Sequence, residues 1–485
     1  MSVASSPPRS LRANAMGLFG DWVAGIATVA PSSSVAFTLA LMISFAGLSS
    51  PFAVLVVGFG MLFVAVGYSR LNNWRPNAGA PFVWVGAVVR PWLGFAVGFG
   101  AILGMLFANI GNIALAGSYL ISVIAPSYHP SSLLVWIVSA ALLAIVVALA
   151  IRGVRPSIRV QMALLILEYA IVILFLILAI AYEVSGHHPG AHAPSWRMFT
   201  PSLSLGGFKG ITSAAVPIAF LYLGWESTLV LSEETTNSKI NPGRAAILGT
   251  SFLILWYTLL TVVFQGIASP KDIIAHGTDV LAYAGTILLP GPFERLLPVA
   301  VFVAVFGTTQ LQLIASSRVV WAMARDKLFP EFLASLSRHQ APFWASLILG
   351  AIPALALIPY LVSTSANTAI GDVISAAGLW YLFMYAVIAF TSVWFYRRAL
   401  LTNVRFFFGS GVIPVVGGVM MVIALIYGLI TQTAAIAWVG GLTIVVCLVI
   451  GAIYALGSRH PYFHQPRMIY EPGEDAGSSS AKASR

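Results

Sequence analysis

Apolar runs of about 20 residues, the length that spans the hydrocarbon core of a membrane, recur along almost the whole of this chain. We count twelve, which begin near Leu18, Pro51, Leu93, Leu133, Gln161, Gly210, Ala246, Leu296, Phe343, Ala369, Gly411 and Ala435. The composition agrees, because 59% of the 485 residues are hydrophobic and only 8% are charged. The sequence therefore predicts an all-α integral membrane protein with about 12 transmembrane helices.

Basic residues are concentrated on one side of the predicted membrane. With the N-terminus inside, cytoplasmic segments contain 21 of the 25 Lys and Arg residues, and those outside are Arg197, Lys209, Lys271 and Arg295. Lys and Arg are retained in cytoplasmic loops. Both termini are therefore predicted to be cytoplasmic, and the net charge of +10 reflects topology rather than nucleic-acid binding.

Motifs for ATP-driven pumping or catalysis are missing from the sequence, which contains no Walker loop, nucleophile motif or dinucleotide fingerprint. The cluster of His187, His188 and His192 has no accompanying Cys or carboxylate, so we expect a solvated loop rather than a metal site. The single cysteine, Cys447, forms no internal disulfide. We expect no enzyme activity, no cofactor and no metal.

The first apolar run contains a helix breaker near its middle. From Leu18 to Leu48 it is longer than a membrane requires, and Pro31 is followed by Ser32, Ser33 and Ser34. Proline removes a backbone donor, serines compete for backbone hydrogen bonds, and unwound backbone in a membrane must line a cavity or lie inside protein. We expect one half-helix to end near Val29 and the next to begin near Ser33 or Ser34, where its free N–H groups would attract an anion.

The sixth run is interrupted as well. Gly224 loosens it, and Glu226 places a carboxyl group about halfway along. An acid at that depth should face the protein interior. Breaks in the first and sixth spans fit two repeats of five helices, each beginning with a broken helix, and paired breaks indicate a transporter's binding site.

Three stretches between spans resemble motifs of the amino acid-polyamine-organocation transporter superfamily. They are RPNAGAPFVWV after the second span, GWESTLVLSEETTNSKINPGRAA from the sixth, and SSRVVWAMARDKLFP at the end of the eighth. The resemblance extends over spans one to ten. The matching positions are Pro76, Gly79, Phe82, Gly224, Glu226, Glu233, Glu234, Asn237, Ser317, Arg318, Ala324, Arg325, Asp326 and Pro330.

This resemblance implies a leucine-transporter-like inverted repeat of five plus five helices, two further C-terminal helices, and alternating access. It implies that residues Ala30 to Ser34 receive a substrate carboxylate and that carbonyls near Thr28, Phe220 and Leu223 receive an amine. Gly224 is expected in the same substrate site. Phe220 falls where the family often has an aromatic lid over the substrate. Arg318, Arg325 and Asp326 are expected to form a cytoplasmic gate or anchor.

Two carboxyl groups are candidates for proton coupling. Some proton-coupled members of the family have a lysine in the fifth span, where this chain has Glu168 in an apolar run. A carboxyl group there can take up a proton near neutral pH, or serve as a buried structural acid; Glu226 is the alternative. Six polar residues are candidates either for lining the cavity or for joining helices by hydrogen bonds: Asn109, Asn112, Thr308, Thr309, Gln310 and Gln312.

The sequence leaves three functions open. The first is a proton-coupled symporter that imports amino acids or related amines, the second is an obligate exchanger, and the third is a nutrient sensor or accessory membrane subunit. The expected partners are a small substrate, protons and membrane lipid, and the expected location is a bacterial plasma membrane. The predicted organisation is a tail (1–15), a first repeat (16–184), an extracellular loop (185–207), a second repeat (208–398), two further helices (399–457) and a solvated tail (458–485).

Overall fold

The computed structural model describes residues 10–125, 131–186, 194–201, 208–277, 280–362, 366–431 and 434–471. These residues are predominantly helical and include no β-strand. The described residues form two isolated β-bridges, Met16 with Thr235 and Leu336 with Pro342. The all-α prediction is confirmed.

The first nine helices include both predicted interruptions. They are α1 (Leu18–Val29), α2 (Pro31–Ala46), α3 (Ser50–Trp74), α4 (Pro81–Val88), α5 (Pro91–Ile124), α6 (Ser132–Ile151), α7 (Val154–Val184), α8 (Phe208–Leu221) and α9 (Ser227–Val230). The first predicted span is thus two helices, α1 and α2, and the sixth is α8 followed by the short α9.

The remaining helices complete the bundle. They are α10 (Asn241–Ile267), α11 (Pro270–His276), α12 (Val280–Leu288), α13 (Leu296–Arg325), α14 (Phe343–Val362), α15 (Ala366–Tyr396), α16 (Val404–Phe406), α17 (Ile413–Thr431) and α18 (Ala434–Gly457). Each predicted span lies on helices of the described residues.

Length and apolar composition mark nine segments of the described residues as candidate membrane spans, and two shorter apolar helices accompany them. The most apolar part of α13 is 78% buried in the protein, whereas that of the last helix is 17% buried. Large aliphatic side chains on the outer helices, such as Ile177, Leu255 and Leu442, are exposed. Helix α13 is therefore central, and the exposed aliphatic belt suits lipid.

Ion pairs and backbone hydrogen bonds close the face that carries residue 10, here called the N-terminal face. The N–H of Ala15 donates to the Glu234 carbonyl at 2.7 Å. Arg318 pairs with Glu234 at 2.8 Å, fully buried, and Arg325 pairs with Glu233 at 2.9 Å, partly exposed. Ala15, the segment just after α9 and the C-terminal part of α13 therefore meet.

The C-terminal segment, residues 460–471, lies on the same face. Met468 N–H donates to the Ala87 carbonyl at 2.8 Å, Tyr470 N–H donates to the Phe395 carbonyl at 3.1 Å, and Tyr462 stacks on Phe82. The expectation of a solvated tail from residue 458 is wrong for this segment, because its aromatic side chains bury surface against α4 and the end of α15. Residues 472–485 lie outside the described residues.

Candidate functional site

The first break occurs at a single residue. Ala30 has left-handed backbone angles, φ 52° and ψ 68°, between the last residue of α1 and Pro31, the first residue of α2. Proline disfavours a helical conformation in the residue before it and fits the first position of a helix, where its missing N–H is not needed. The predicted break is confirmed, and α2 begins two or three residues earlier than we expected.

The second break is a longer turn. Residues 222–226 separate α8 from α9. Gly224 has φ 118°, a conformation that side-chain-bearing residues rarely adopt. A glycine at this position therefore permits the turn.

The two breaks touch each other. A Cβ atom built on Gly224 would lie 2.8 Å from the Thr28 carbonyl oxygen. The hydroxyl groups of Thr28 and Ser227 are 3.0 Å apart, and Thr308 of α13 donates to the Ala27 carbonyl at 2.8 Å. The carbonyl end of α1 is therefore held between the second turn and α13.

A small cavity, here called the central cavity, opens where the breaks meet. Among the described residues, no ionisable side chain lines it; the lining residues are Thr28, Val29, Ala30, Ser33, Ser34, Asn112, Phe220, Leu223, Thr308 and Gln312. Asn112 donates from Nδ2 to Oε1 of Gln312 at 3.3 Å. The cavity thus combines neutral polar groups with apolar surface from Val29, Leu223 and Phe220.

Unpaired backbone groups border this cavity. The final carbonyls of α1 and the first N–H groups of α2 have no partner inside their helices. One of these groups, the Val29 carbonyl, accepts a hydrogen bond from Ser34 Oγ at 2.6 Å. Two of these groups, the Ser33 N–H and the Thr28 carbonyl, belong to residues that line the cavity. The N–H end of α2 suits a negative charge and the carbonyl end of α1 suits a positive charge, which are the two charges of a zwitterion.

Glu168 contacts the N-terminus of α2 from the neighbouring helix α7. Its Oε1 accepts from the Ser32 N–H at 3.0 Å and from Ser32 Oγ at 2.7 Å, and the side chain is buried. A carboxylate at a helix N-terminus interacts favourably with the helix dipole. Ser32, predicted as a substrate residue, therefore faces Glu168, and it lies outside the lining of the central cavity.

Glu226 is held by the second turn and by α15. Its Oε2 accepts from the Tyr385 hydroxyl at 2.7 Å and from the Gly224 N–H at 3.1 Å. Its Oε1 is buried and has no hydrogen-bond partner among the described residues. Each of the two predicted carboxyl groups is thus next to one break.

The comparison with known families decides the identity. A family model described as amino acid permease matches residues 22–453. The chain belongs to the amino acid permease family. The match covers both breaks and every helix that lines the central cavity.

The curated relatives of this permease have transport functions. A branched-chain amino acid permease of Lactococcus lactis is 24% identical over 380 residues, 74% of this chain and 79% of that protein. A low-affinity putrescine importer of Escherichia coli is 25% identical over 328 residues, 65% of this chain and 68% of that protein. A methylthioribose transporter of Bacillus subtilis is 22% identical over 364 residues, 72% and 76% of the two chains.

Several predicted site residues of the permease lie outside the central cavity. Pro31 and Gly224 shape the breaks but do not line the central cavity. Asn109 is buried and does not line the cavity either. Thr309 donates to the Val305 carbonyl of its own helix at 2.9 Å. Gln310 accepts from the Gln161 amide and so joins α13 to α7.

Val29, expected as the end of the first half-helix, lines the central cavity. One residue of the permease site was missed by sequence reasoning: Tyr385, which donates to Glu226. Tyr385 lies 159 residues from Glu226 in an apolar helix that carries no local signal.

The described residues of the permease contain no group of three or more His, Cys, Asp and Glu side chains suited to a metal. The cluster of His187, His188 and His192 lies outside the described residues.

Proposed function

We propose that this permease is a secondary active transporter that imports a neutral amino acid together with a proton. The observation that carries the proposal is the uncharged central cavity at the two helix breaks, bordered by the free N–H end of α2 and the free carbonyl end of α1. Such ends complement a carboxylate and an ammonium group respectively. The similarity to a branched-chain amino acid permease supports the same substrate class.

The proposed orientation of the substrate follows from the cavity lining. The carboxylate would lie at Ser33, and the ammonium group at the carbonyls of Thr28, Phe220 and Leu223. Val29 would contact the aliphatic side chain. A diamine is less well supported, because none of the described residues that line the cavity has a carboxyl group to neutralise a second positive charge.

Glu168 is the proposed coupling residue. A substrate carboxylate at Ser33 and the Glu168 carboxylate at Ser32 would place two negative charges at the N-terminus of one helix. Like charges at short distance repel, and protonation of Glu168 removes the repulsion. Binding of one amino acid therefore favours binding of one proton, which is the linkage that a symporter requires.

Transport would proceed by alternating access in a bacterial plasma membrane. The predicted repeats, 16–184 and 208–398, would move relative to each other around the central cavity. The N-terminal face would be cytoplasmic, in accordance with the distribution of Lys and Arg. Its ion pairs, Arg318 with Glu234 and Arg325 with Glu233, would then form the closed cytoplasmic side.

Uptake into proteoliposomes tests the proposal. Labelled leucine, alanine and putrescine are supplied with and without an inward proton gradient, and with or without internal substrate. We expect gradient-driven accumulation of a neutral amino acid by the native chain. Glu168→Gln should retain exchange and lose accumulation, whereas the matched control Glu294→Gln, in the short helical turn before α13 and away from the central cavity, should accumulate normally.

The other outcomes assign other functions. Unchanged accumulation by Glu168→Gln would reject Glu168 as the coupling residue. Movement only against internal substrate would establish an exchanger, and accumulation of putrescine alone would reject the neutral substrate. Failure of the native chain to move any compound would favour a sensor or an accessory subunit.

A further inference from the structure

We propose that Asp21 is a further proton-binding site of the permease, which holds a proton while the N-terminal face is closed and releases it when that face opens. Asp21 is the one ionisable residue of α1, and its side chain is fully buried. The inference rests on the proposed function, because it takes the N-terminal face to be the cytoplasmic side that opens during alternating access.

One face of α1 packs along the chain that follows the second break, a contact here called the α1–α9 interface. Its residues on the α1 side, spaced three or four apart and therefore on one face of the helix, are Gly17, Asp21, Gly25 and Thr28. A Cβ atom built on Gly17 would lie 3.8 Å from the Thr236 hydroxyl, and one on Gly25 would lie 2.7 Å from a Thr228 methyl group. The Thr236 N–H donates to the Met16 carbonyl at 2.8 Å. The interface thus joins the predicted first and second repeats between the central cavity and the N-terminal face.

The carboxyl group of Asp21 is enclosed in this interface without a donor. Both of its oxygens are buried and have no hydrogen-bond partner among the described residues. The hydroxyl of Thr235 adjoins it but donates to the Leu231 carbonyl at 3.1 Å. A charge buried without donors or a counter-ion is costly, whereas a protonated carboxyl group carries no charge. The closed interface therefore favours Asp21 with a proton bound.

The charged groups on the elements packed against α1 do not neutralise Asp21. Arg318 donates to both oxygens of Glu234, at 2.8 and 3.3 Å, and Arg155 donates to the Asn14 and Ala15 carbonyls. The ion pairs of the described residues do not include Asp21. The other charged or titratable groups are the exposed Arg159 of α7 and Arg244 of α10, Arg325 paired with Glu233, Glu226 bound by Tyr385, and Glu168, Tyr169 and Tyr257 near the start of α2.

The ligand of Asp21 is therefore a proton rather than a metal ion. A metal cation would need several ligands, and Asp21 belongs to no group of three or more potential metal ligands among the described residues. A proton needs only the one carboxyl group.

The position of Asp21 gives the proton a role in opening. When the N-terminal face opens, water reaches the carboxyl group, its O–H bond breaks, and the proton passes to water. The ionised form then favours the open state, because closure would bury an unpaired charge. A rise in cytoplasmic pH should therefore favour the open N-terminal face, and a fall should favour the closed one. This step differs from the proposed role of Glu168, which binds a proton together with the substrate at the start of α2.

Hydrogen exchange of the backbone tests this site in the full chain, in lipid nanodiscs without substrate. Exchange rates of residues 15–25 and 227–236 are measured at pH 6 and pH 8 and corrected for the intrinsic effect of pH. In the native chain the corrected rates should rise at least about tenfold, within the limit of about tenfold per pH unit that release of one proton allows.

Three variants accompany the native chain. Asp21→Asn keeps a neutral side chain of the same shape at both pH values, so the interface should stay equally protected at both. Asp21→Ala is also neutral and supplies the same comparison if the asparagine variant does not fold. The control is Asp272→Asn, because Asp272 is exposed in α11, and it should retain the pH response of the native chain.

The outcomes separate this site from the proposed function. Equal corrected rates at both pH values in the native chain would overturn the role of Asp21, and so would a native pH response in Asp21→Asn or Asp21→Ala. Fast exchange of these variants at both pH values would also overturn it, because it would show a purely structural role. The measurement needs no substrate and no gradient. A pH response that requires Asp21, in a chain that accumulates no amino acid, would retain the proton site while the proposed function fails.

Discussion

Both helix breaks interrupt a predicted membrane span, but their structures differ. At the first, one left-handed residue leads into α2, a helix of 16 residues. At the second, the turn of residues 222–226 leads into α9, a helix of four residues. Helix α2 is long enough to hold its own hydrogen bonds, whereas α9 depends on its neighbours. The second break should therefore be the more sensitive of the two to substitution.

The difference extends to how each break is anchored. Glu168 reaches the start of α2 from another helix and binds neutral donors of Ser32. The chain after α9 is anchored by an ion pair, Glu234 with Arg318, that is almost fully buried. Removal of one partner leaves an unpaired buried charge only at the second anchor.

The largest expected effect is at this second anchor. Arg318→Met leaves the Glu234 carboxylate buried without its partner, and we expect a loss of about 3–5 kcal/mol in the free energy of unfolding. Arg325→Met is the matched control, because Arg325 is 33% exposed and its ion pair with Glu233 should contribute less than about 1 kcal/mol. Thermal unfolding in detergent measures both. Equal losses in the two variants would contradict this account of the anchor.

The next effect is at the second turn. Gly224→Ala combines an unfavourable positive φ with a Cβ atom only 2.8 Å from the Thr28 carbonyl oxygen, and we expect a loss of about 3 kcal/mol together with transport activity. Gly249→Ala is the control, because its Cβ would meet Ile26 at an ordinary 3.6 Å within helix α10. It should change stability by less than about 1 kcal/mol. A Gly224→Ala chain as stable as this control would refute the close contact between the breaks.

A smaller effect is expected at the hydroxyl group that contacts Glu226. Tyr385→Phe removes a donor that lies 2.7 Å from the carboxyl group, so we expect a loss of about 1.5 kcal/mol. Tyr381→Phe removes a buried hydroxyl group that has no partner among the described residues, and it should be neutral or slightly stabilising. Unfolding temperatures of the two variants, compared with the native chain, measure the difference. The reverse order of stability would show that Tyr385 is not the donor that matters.

The smallest effect is expected at the first break. Ala30 already has a left-handed backbone, which costs a side-chain-bearing residue about 1–2 kcal/mol. Ala30→Gly relieves this strain and increases the entropy of the unfolded chain, so the net change should stay within about 1 kcal/mol. If the variant keeps the unfolding temperature and the uptake of the native chain, the left-handed geometry at Ala30 is supported. A severe loss of stability would indicate that the methyl group of Ala30 has a packing role.

Some features of the two breaks could be predicted from the sequence, and others could not. The apolar runs and Pro31 are local signals, so they predicted the helices and the first break correctly. The partners of the carboxyl groups are not local: Ser32 and Glu168 are 136 residues apart, and their contact depends on how α2 and α7 are rotated. A run of apolar residues indicates a helix without specifying its rotation. Tyr385 was missed for this reason, and the contact between Ser32 and Glu168 could not be predicted either.

The packing of the C-terminal segment against α4 and the end of α15 has a consequence for biogenesis. Residues 460–471 emerge from the ribosome after all the helices that they cover. Until then, the Ala87 and Phe395 carbonyl groups lack the partners they have in the finished fold. The N-terminal face is therefore completed only after α18 has been synthesised.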